Sequence, residues 1–172
     1  MEEKQVAIQQ QFQASDNDQH KAYYYSKSPT NCAFKIQIAC DFSHRILHVS
    51  EFYHGSVHDI KILRESGLLE HTEQTAQIIA GKGFVGEAYV TTPRKKPRRG
   101  ELTDEDKNFN RDINSTRAAI ENINQHLKIY ANLGGVYRGA IDNFHKITKT
   151  GHVVSALCNL NLSKHPIRKY TT

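Results

Sequence analysis

Hydrophobic residues recur most regularly between Thr103 and Tyr130. There Phe109, Ile113, Thr116, Ile120, Ile123, Leu127 and Tyr130 follow one another at steps of four and three. Those steps lay a mainly apolar stripe along one face of an α-helix, a face that must pack against another element. Thr103 followed three residues later by Asp106 resembles a capping box, with Asp in place of the usual Glu or Gln, and sets the helix start. Run to Tyr130, at about 1.5 Å per residue, the helix is roughly 40 Å long. Beside the stripe lies a second line at helical spacing, Arg117, Glu121 and Lys128.

Elsewhere the period shortens to two. Val6 and Ile8 alternate with polar residues, which predicts a short half-buried strand within Met1 to Gln13. Phe34, Ile36, Ile38 and Cys40 alternate with Lys35 and Gln37 in a second strand. Ile46 to Tyr53 reads as a third, and the short turn Asp41 to His44 makes the pair an antiparallel hairpin. The polar stretch Ser15 to Asn31 reads as a long loop holding the tyrosines Tyr23 to Tyr25. Val57 to Ser66 predicts a helix with Ile60, Ile62 and Leu63 inward and Gly67 as its stop, and Ser56 with Asp59 reads as a capping-box-like start. The apolar run Ala76 to Ala80, bounded by Gly81 and Gly83, predicts a buried strand added in parallel through the helical crossover. After the glycines Gly134 and Gly135, a final helix around Phe144 to Leu160 is expected to pack Ile147, Val153, Val154, Leu157 and Leu160, with Gly151 as a weak point in its continuity. The predicted order is three strands, a helix, a strand and two helices. It fits an α/β domain whose mixed sheet is antiparallel at its start and parallel later, flanked by helices, the order a ribonuclease-H-like fold requires.

Length and charge narrow the picture. At 172 residues the chain is expected to form a single domain, residues 1–172. It has no apolar run long enough for a transmembrane helix, and its polar start is no signal peptide, so a soluble intracellular protein is expected. A chain that opens directly inside a strand predicts an incomplete N-terminus. Cys32, Cys40 and Cys158 are scattered and lack a C-x-x-C spacing, which points to free thiols and away from structural zinc. The net charge of +5 is a modest excess, but Arg94, Lys95, Lys96, Arg98 and Arg99 crowd the run Pro93 to Arg99, predicted as a basic surface loop over 93–100.

Several runs together resemble one family. F-Y-H-G-S-V-H-D-I-K-I-L-R-E-S-G-L, Phe52 to Leu68, is similar to the G-S-x-H-D segment of DDE-superfamily transposases of the Harbinger type and their bacterial insertion-sequence relatives. Gly81 to Phe84, G-K-G-F, resembles their D-x-G-Y element, and L-T-D-E-D-K-N-F-N-R resembles L-T-x-E-x-K-x-x-N. Arg117, Glu121 and Lys128 match the last three members of Y-(2)-R-(3)-E-(6)-K, with Asn114 in the place of the tyrosine. The resemblance runs from about Met1 to Leu162. It implies divalent-metal-dependent cleavage and transfer of DNA strands, with Mg²⁺ or Mn²⁺ held by three carboxylates, because hard cations take oxygen ligands. By the same resemblance Glu121 is the third carboxylate, and Arg117 and Lys128 contact phosphates. Aligning Val6, Ile8 and Gln9 puts Glu2 at the first position. The second position holds Gly81, which has no ligand to offer, so this copy is expected to be impaired. DNA is the implied partner and a homodimer the implied assembly, located in the nucleus of a eukaryote or the cytoplasm of a bacterium.

Each of these residues also has a plainer reading. Glu121 can be a solvent-facing acid paired with Arg117 one turn away, worth only ~0.2–0.5 kcal/mol. Asp59 complements the dipole of the helix it opens, or it stands in for the missing ligand in an active endonuclease. His54 and His58 read as exposed polar residues. The basic run is a solvated loop, or it contacts phosphates and steepens salt dependence by roughly 0.9 log units per phosphate. The tyrosines cover a sheet edge or stack on bases. A non-catalytic DNA-binding or protein-interaction domain that keeps the fold is the alternative to the impaired nuclease.

Overall fold

The computed structural model describes residues 5–13, 24–25, 28–72, 77–135, 137 and 143–167; Glu2, Tyr23 and most of the predicted tyrosine loop lie outside them. The strands are β1 (Gln5–Gln13), β2 (Tyr24–Tyr25), β3 (Ser28–Cys40), β4 (Ile46–His54), β5 (Gln77–Ile79) and β6 (Val90–Thr91). The helices are α1 (Asp59–Glu65), α2 (Leu68–His71), α3 (Asp104–Ile129), α4 (Ala131–Gly134) and α5 (Phe144–Lys164), with a 3₁₀ turn at Lys82–Phe84. None of them is long and apolar enough to cross a membrane.

The predicted hairpin is present: β4 pairs antiparallel with β3, from Phe34 opposite His54 to Cys40 opposite Ile46. On its other side β3 pairs antiparallel with β1, and β1 pairs in parallel with β5 through Val6–Ile78 and Ala7–Ile79. β6 extends the parallel half beside β5. The strands thus run β4, β3, β1, β5, β6 across the sheet, with β2 on the leading end of β3. Two expectations change here. Part of the predicted loop is strand, because β3 begins at Ser28 and Tyr24–Tyr25 pair with it. A last short strand, β6, also escaped the pattern; two residues are too few for a period to register.

The alternation in β3 sorts its side chains onto two faces, and both are covered. Phe34, Ile36, Ile38 and Cys40 join Ala119, Ile120, Ile123 and Leu127 of α3 and Ile147, Val154, Cys158 and Leu162 of α5 in the main core. On the opposite face Ala39 joins Leu63, Leu68, Ile78, Ala80 and Phe84. Lys35 and Gln37 share that second face and are buried too, at 5% and 3% exposure. A buried ammonium needs partners, and Lys35 Nζ donates to the Val57 carbonyl at 2.7 Å and to Asp59 at 3.0 Å. Gln37 accepts from the Ser66 hydroxyl at 2.9 Å.

The capping-box reading of Ser56 and Asp59 is overturned. The residue that caps α1 is His58, which makes no side-chain cap bond, and Asp59 spends its carboxylate on Lys35 instead. Gly67 stops the helix as expected, at φ 73°, a left-handed backbone that suits glycine.

The last helix runs unbroken through Gly151 to Lys164. Gly151 faces the sheet so closely that a Cβ there would lie 2.7 Å from Phe52 Cε2 and 3.1 Å from Ile36 Cδ1. Close approach, and not a break, is its purpose. Val153, Leu157 and Leu160 were expected in the core and are 59%, 44% and 57% exposed. The sheet takes the stripe of Ile147, Gly151, Val154, Cys158 and Leu162 instead, and the apolar positions one or two residues off it fall outside the contact.

Candidate functional site

α3 organises the candidate site. Its N-terminus is built as the sequence predicts, with Thr103 Oγ1 accepting from the Asp106 N–H at 3.1 Å. Ile113, Ala119, Ile120, Ile123 and Leu127 are buried, which fixes the rotation of the helix about its axis. A neighbouring stripe therefore carries Asp106, Asn110, Arg117, Glu121 and Lys128, residues separated by four, seven, four and seven positions.

The basic loop is strapped to the first two turns of that stripe. Asn110 accepts from the Arg94 N–H at 2.7 Å and donates to the Arg94 carbonyl at 3.1 Å. Arg94 bonds Asp106 and lies over the Phe109 ring, 4.6 Å from its centroid. The Arg94 bond, helped by Thr103, holds the Asp106 carboxyl below its ordinary pKa and raises the guanidinium above its own. Arg94 is thus committed to the protein, while Lys95, Lys96, Arg98 and Arg99 are exposed, with Lys96 3.7 Å from the exposed Glu101. Asn110 was the residue that sequence reasoning quoted and did not use. It closes the L-T-x-E-x-K-x-x-N stretch, and its position four residues after Asp106 on the same helix face was the available signal.

Further along the stripe, Arg117 reaches the end of β5. A Cβ on Gly81 would lie 3.6 Å from Arg117 Nη2 and 3.8 Å from its Cζ, and the guanidinium is the one described neighbour within 4 Å. Arg117 Nη2 is in turn 3.7 Å from Glu121 Oε1, beyond hydrogen-bond length. Gly81, Arg117 and Glu121 therefore meet where β5 ends. Glu121 is 61% exposed and Arg117 28% exposed, with its Nε buried and without a hydrogen-bond partner. Lys128 is exposed further down the helix.

Asp59 approaches the same turn from the other side of the sheet. Its Oδ2 would lie 2.6 Å from a Cβ on Gly83, so the carboxylate presses against the glycine two residues past Gly81. Its Oδ1 is held by Lys35, and the pair clamps β3, the start of α1 and the G-K-G turn together. On the near side β1 runs parallel to β5, with Val6 level with Ile78 and Ala7 level with Ile79. Gln5, where the described part of β1 begins, is level with Gln77 at the opposite end of β5. His54 packs against Phe144 and is half-buried, whereas His58 is exposed.

Among the described residues no group of three or more His, Cys, Asp or Glu is arranged to hold a metal ion. The donor set at the end of β5 explains why: one exposed carboxylate, one glycine and a guanidinium.

The family model described as DDE superfamily endonuclease matches residues 6–160. Among curated proteins, the probable transposase for insertion sequence element IS702 from Microchaete diplosiphon is 34% identical over 88 residues, 49% of this chain and 31% of that protein. The match spans about a third of that relative's length. No solved structure matches the chain.

Proposed function

Since the chain belongs to the DDE superfamily endonuclease family, we propose that it is a transposase-derived nuclease domain of ribonuclease-H-like fold that engages DNA along α3 and is impaired in strand cleavage. The fold assignment is supported by the strand order β4, β3, β1, β5, β6, with β3 antiparallel to its neighbours and β1, β5 and β6 parallel to one another. The convergence of Gly81 and Glu121 on Arg117 carries the functional reading. It supports reading Gly81 and Glu121 as the second and third positions of the family's carboxylate set, with a glycine at the second.

The family's chemistry calls for Mg²⁺ or Mn²⁺ held by carboxylate oxygens. The residues of this chain do not fit such a cage. Gly81 offers no side-chain donor, and Asp59 is engaged by Lys35. Glu121 is the surviving family acid among the described residues, with Glu2 proposed as the first ligand outside them. That disfavours Asp59 as a replacement ligand, since recruiting it would leave Lys35 buried without its counter-charge.

DNA contact is assigned to Lys95, Lys96, Arg98 and Arg99 on the strapped loop, with Arg117 and Lys128 along the helix and Arg94 as the anchor that holds the loop in place. Phosphates need cations at fixed spacing, and the rigid helix supplies it. The alternative, a non-catalytic DNA-binding domain, uses the same surface.

A supercoiled-plasmid nicking assay in Mg²⁺ or Mn²⁺, run beside Glu121→Gln, separates the readings. The expected outcome is no metal-dependent nicking above the variant's level. Nicking by the wild-type chain that the substitution abolishes would overturn the impairment.

A further inference from the structure

We propose that the outward face of α5 docks an acidic amphipathic helix of another protein. The sheet uses one apolar stripe of α5, and a second is left outside the core. On that second stripe Lys146, Lys149, Val153, Leu157, Leu160 and Lys164 recur at steps of three and four, with Ala156 beside them, and all seven are exposed. Single apolar residues are ordinary on a protein surface. A row of them in helical phase is instead a seam, the shape into which a second helix fits its own side chains.

Charge selects the occupant. The 21 residues of α5 include no acid, and its lysines bracket the apolar row, Lys146 and Lys149 before it and Lys164 after it. Among the described residues none of these three lysines is in an ion pair. Lys149 and Lys164 stand roughly 22 Å apart along the helix axis. A second copy of the same face is a poor match. Packed antiparallel about Ala156 and Leu157, Lys149 of one copy meets Lys164 of the other; packed parallel, each lysine meets itself. Like charges oppose both arrangements. A nucleic acid would answer the lysines and leave the apolar row between them in water. A lipid surface favours a broad apolar face with aromatic residues, whereas this row holds Val153, Leu157 and Leu160 and no aromatic side chain. A helix with Leu or Ile along its centre and Glu or Asp toward both ends answers the apolar row and the lysines together.

The test uses the whole chain and two fluorescent synthetic peptides of about five helical turns, one with a Leu seam and Glu flanks, the other with the same seam and Lys flanks. Anisotropy is compared for the wild type, for Leu157→Gln with Leu160→Gln, and for Lys149→Glu with Lys164→Glu. All four positions are exposed, so each variant is expected to fold, as circular dichroism checks. The Glu-flanked peptide alone is expected to bind the wild type, more weakly as salt is added. The leucine variant is expected to lower that affinity at least about tenfold, and the lysine variant to transfer the preference to the Lys-flanked peptide. Duplex DNA binding should be unchanged in both variants, which separates this face from the surface along α3. No binding of the Glu-flanked peptide, equal binding of both peptides, or binding that neither variant weakens would overturn the proposal. Loss of DNA binding in the lysine variant would give the lysines to nucleic acid and overturn it as well. So would two other outcomes that the leucine variant abolishes: sedimentation with phosphatidylserine vesicles when neither peptide binds, which would assign the face to lipid, and self-association by light scattering, which would assign it to a second copy.

Discussion

Gly151 and Gly81 show how differently two glycines are used. At Gly151 the sheet comes so close that an added methyl group meets Phe52 and Ile36, both in the core. Gly151→Ala gains helix propensity, up to ~1 kcal/mol, but forces overpacking that costs typically ~1–3 kcal/mol. The expected outcome is a net loss of about 1–2 kcal/mol in urea unfolding. Gly81→Ala meets only ordinary contact with Arg117 and is expected to change stability by less than about 0.5 kcal/mol in the same measurement. The first glycine is held by packing. The second carries no structural demand of that kind.

At the scale of elements, the start of α3 and the basic loop form one unit through Asp106, Arg94 and Asn110. Because the folded state depresses the Asp106 pKa, its contribution is fully present above the ordinary carboxylate range. It is lost as pH falls through the depressed value, while Arg94 stays charged throughout. Followed by NMR, the Arg94 Nε–H resonance is expected to titrate in acid with a midpoint below that of a free aspartate. Asp106→Asn should remove the transition and speed tryptic cleavage of the loop at neutral pH. An unchanged cleavage rate would show that Asn110 alone pins the loop.

At the scale of the molecule, the sheet's β4 edge is closed by α5 rather than left for another chain. Asn159 accepts from the Ile46 N–H at 2.8 Å and donates to the Ile46 carbonyl at 2.9 Å, and Thr148 accepts from the Phe52 N–H at 3.1 Å. Thr148 and Asn159 are three helical turns apart and match the span between Phe52 and Ile46 on the strand, so helix and strand run antiparallel. Unpaired strand edges template association. Thr148→Val combined with Asn159→Leu is expected to cost about 2–3 kcal/mol, roughly one per lost bond, and to produce concentration-dependent association by light scattering. Destabilisation with no association would show that the rest of α5 still shields the strand.

What the chain determines by itself is whatever short-range periodicity and chemistry can specify. The long helix with its Thr103 cap, the β3–β4 hairpin, the parallel strand before Gly81 and the basic loop all follow from spacing, because they are local. The ordered motifs that mark the family are likewise linear. Tertiary structure alone decided which face of α5 is buried, since Val153, Leu157 and Leu160 are as apolar as the residues that pack and lose their place only to the position of the sheet. It also decided the partner of Asp59, because Lys35 arrives from a strand 24 residues away and no local pattern announces it. The same holds for Arg117 against Gly81: the helix phase set by the core turns the guanidinium toward a glycine from another element. Burial is a property of the assembled layers, and a residue's partners across them become defined only when the layers close.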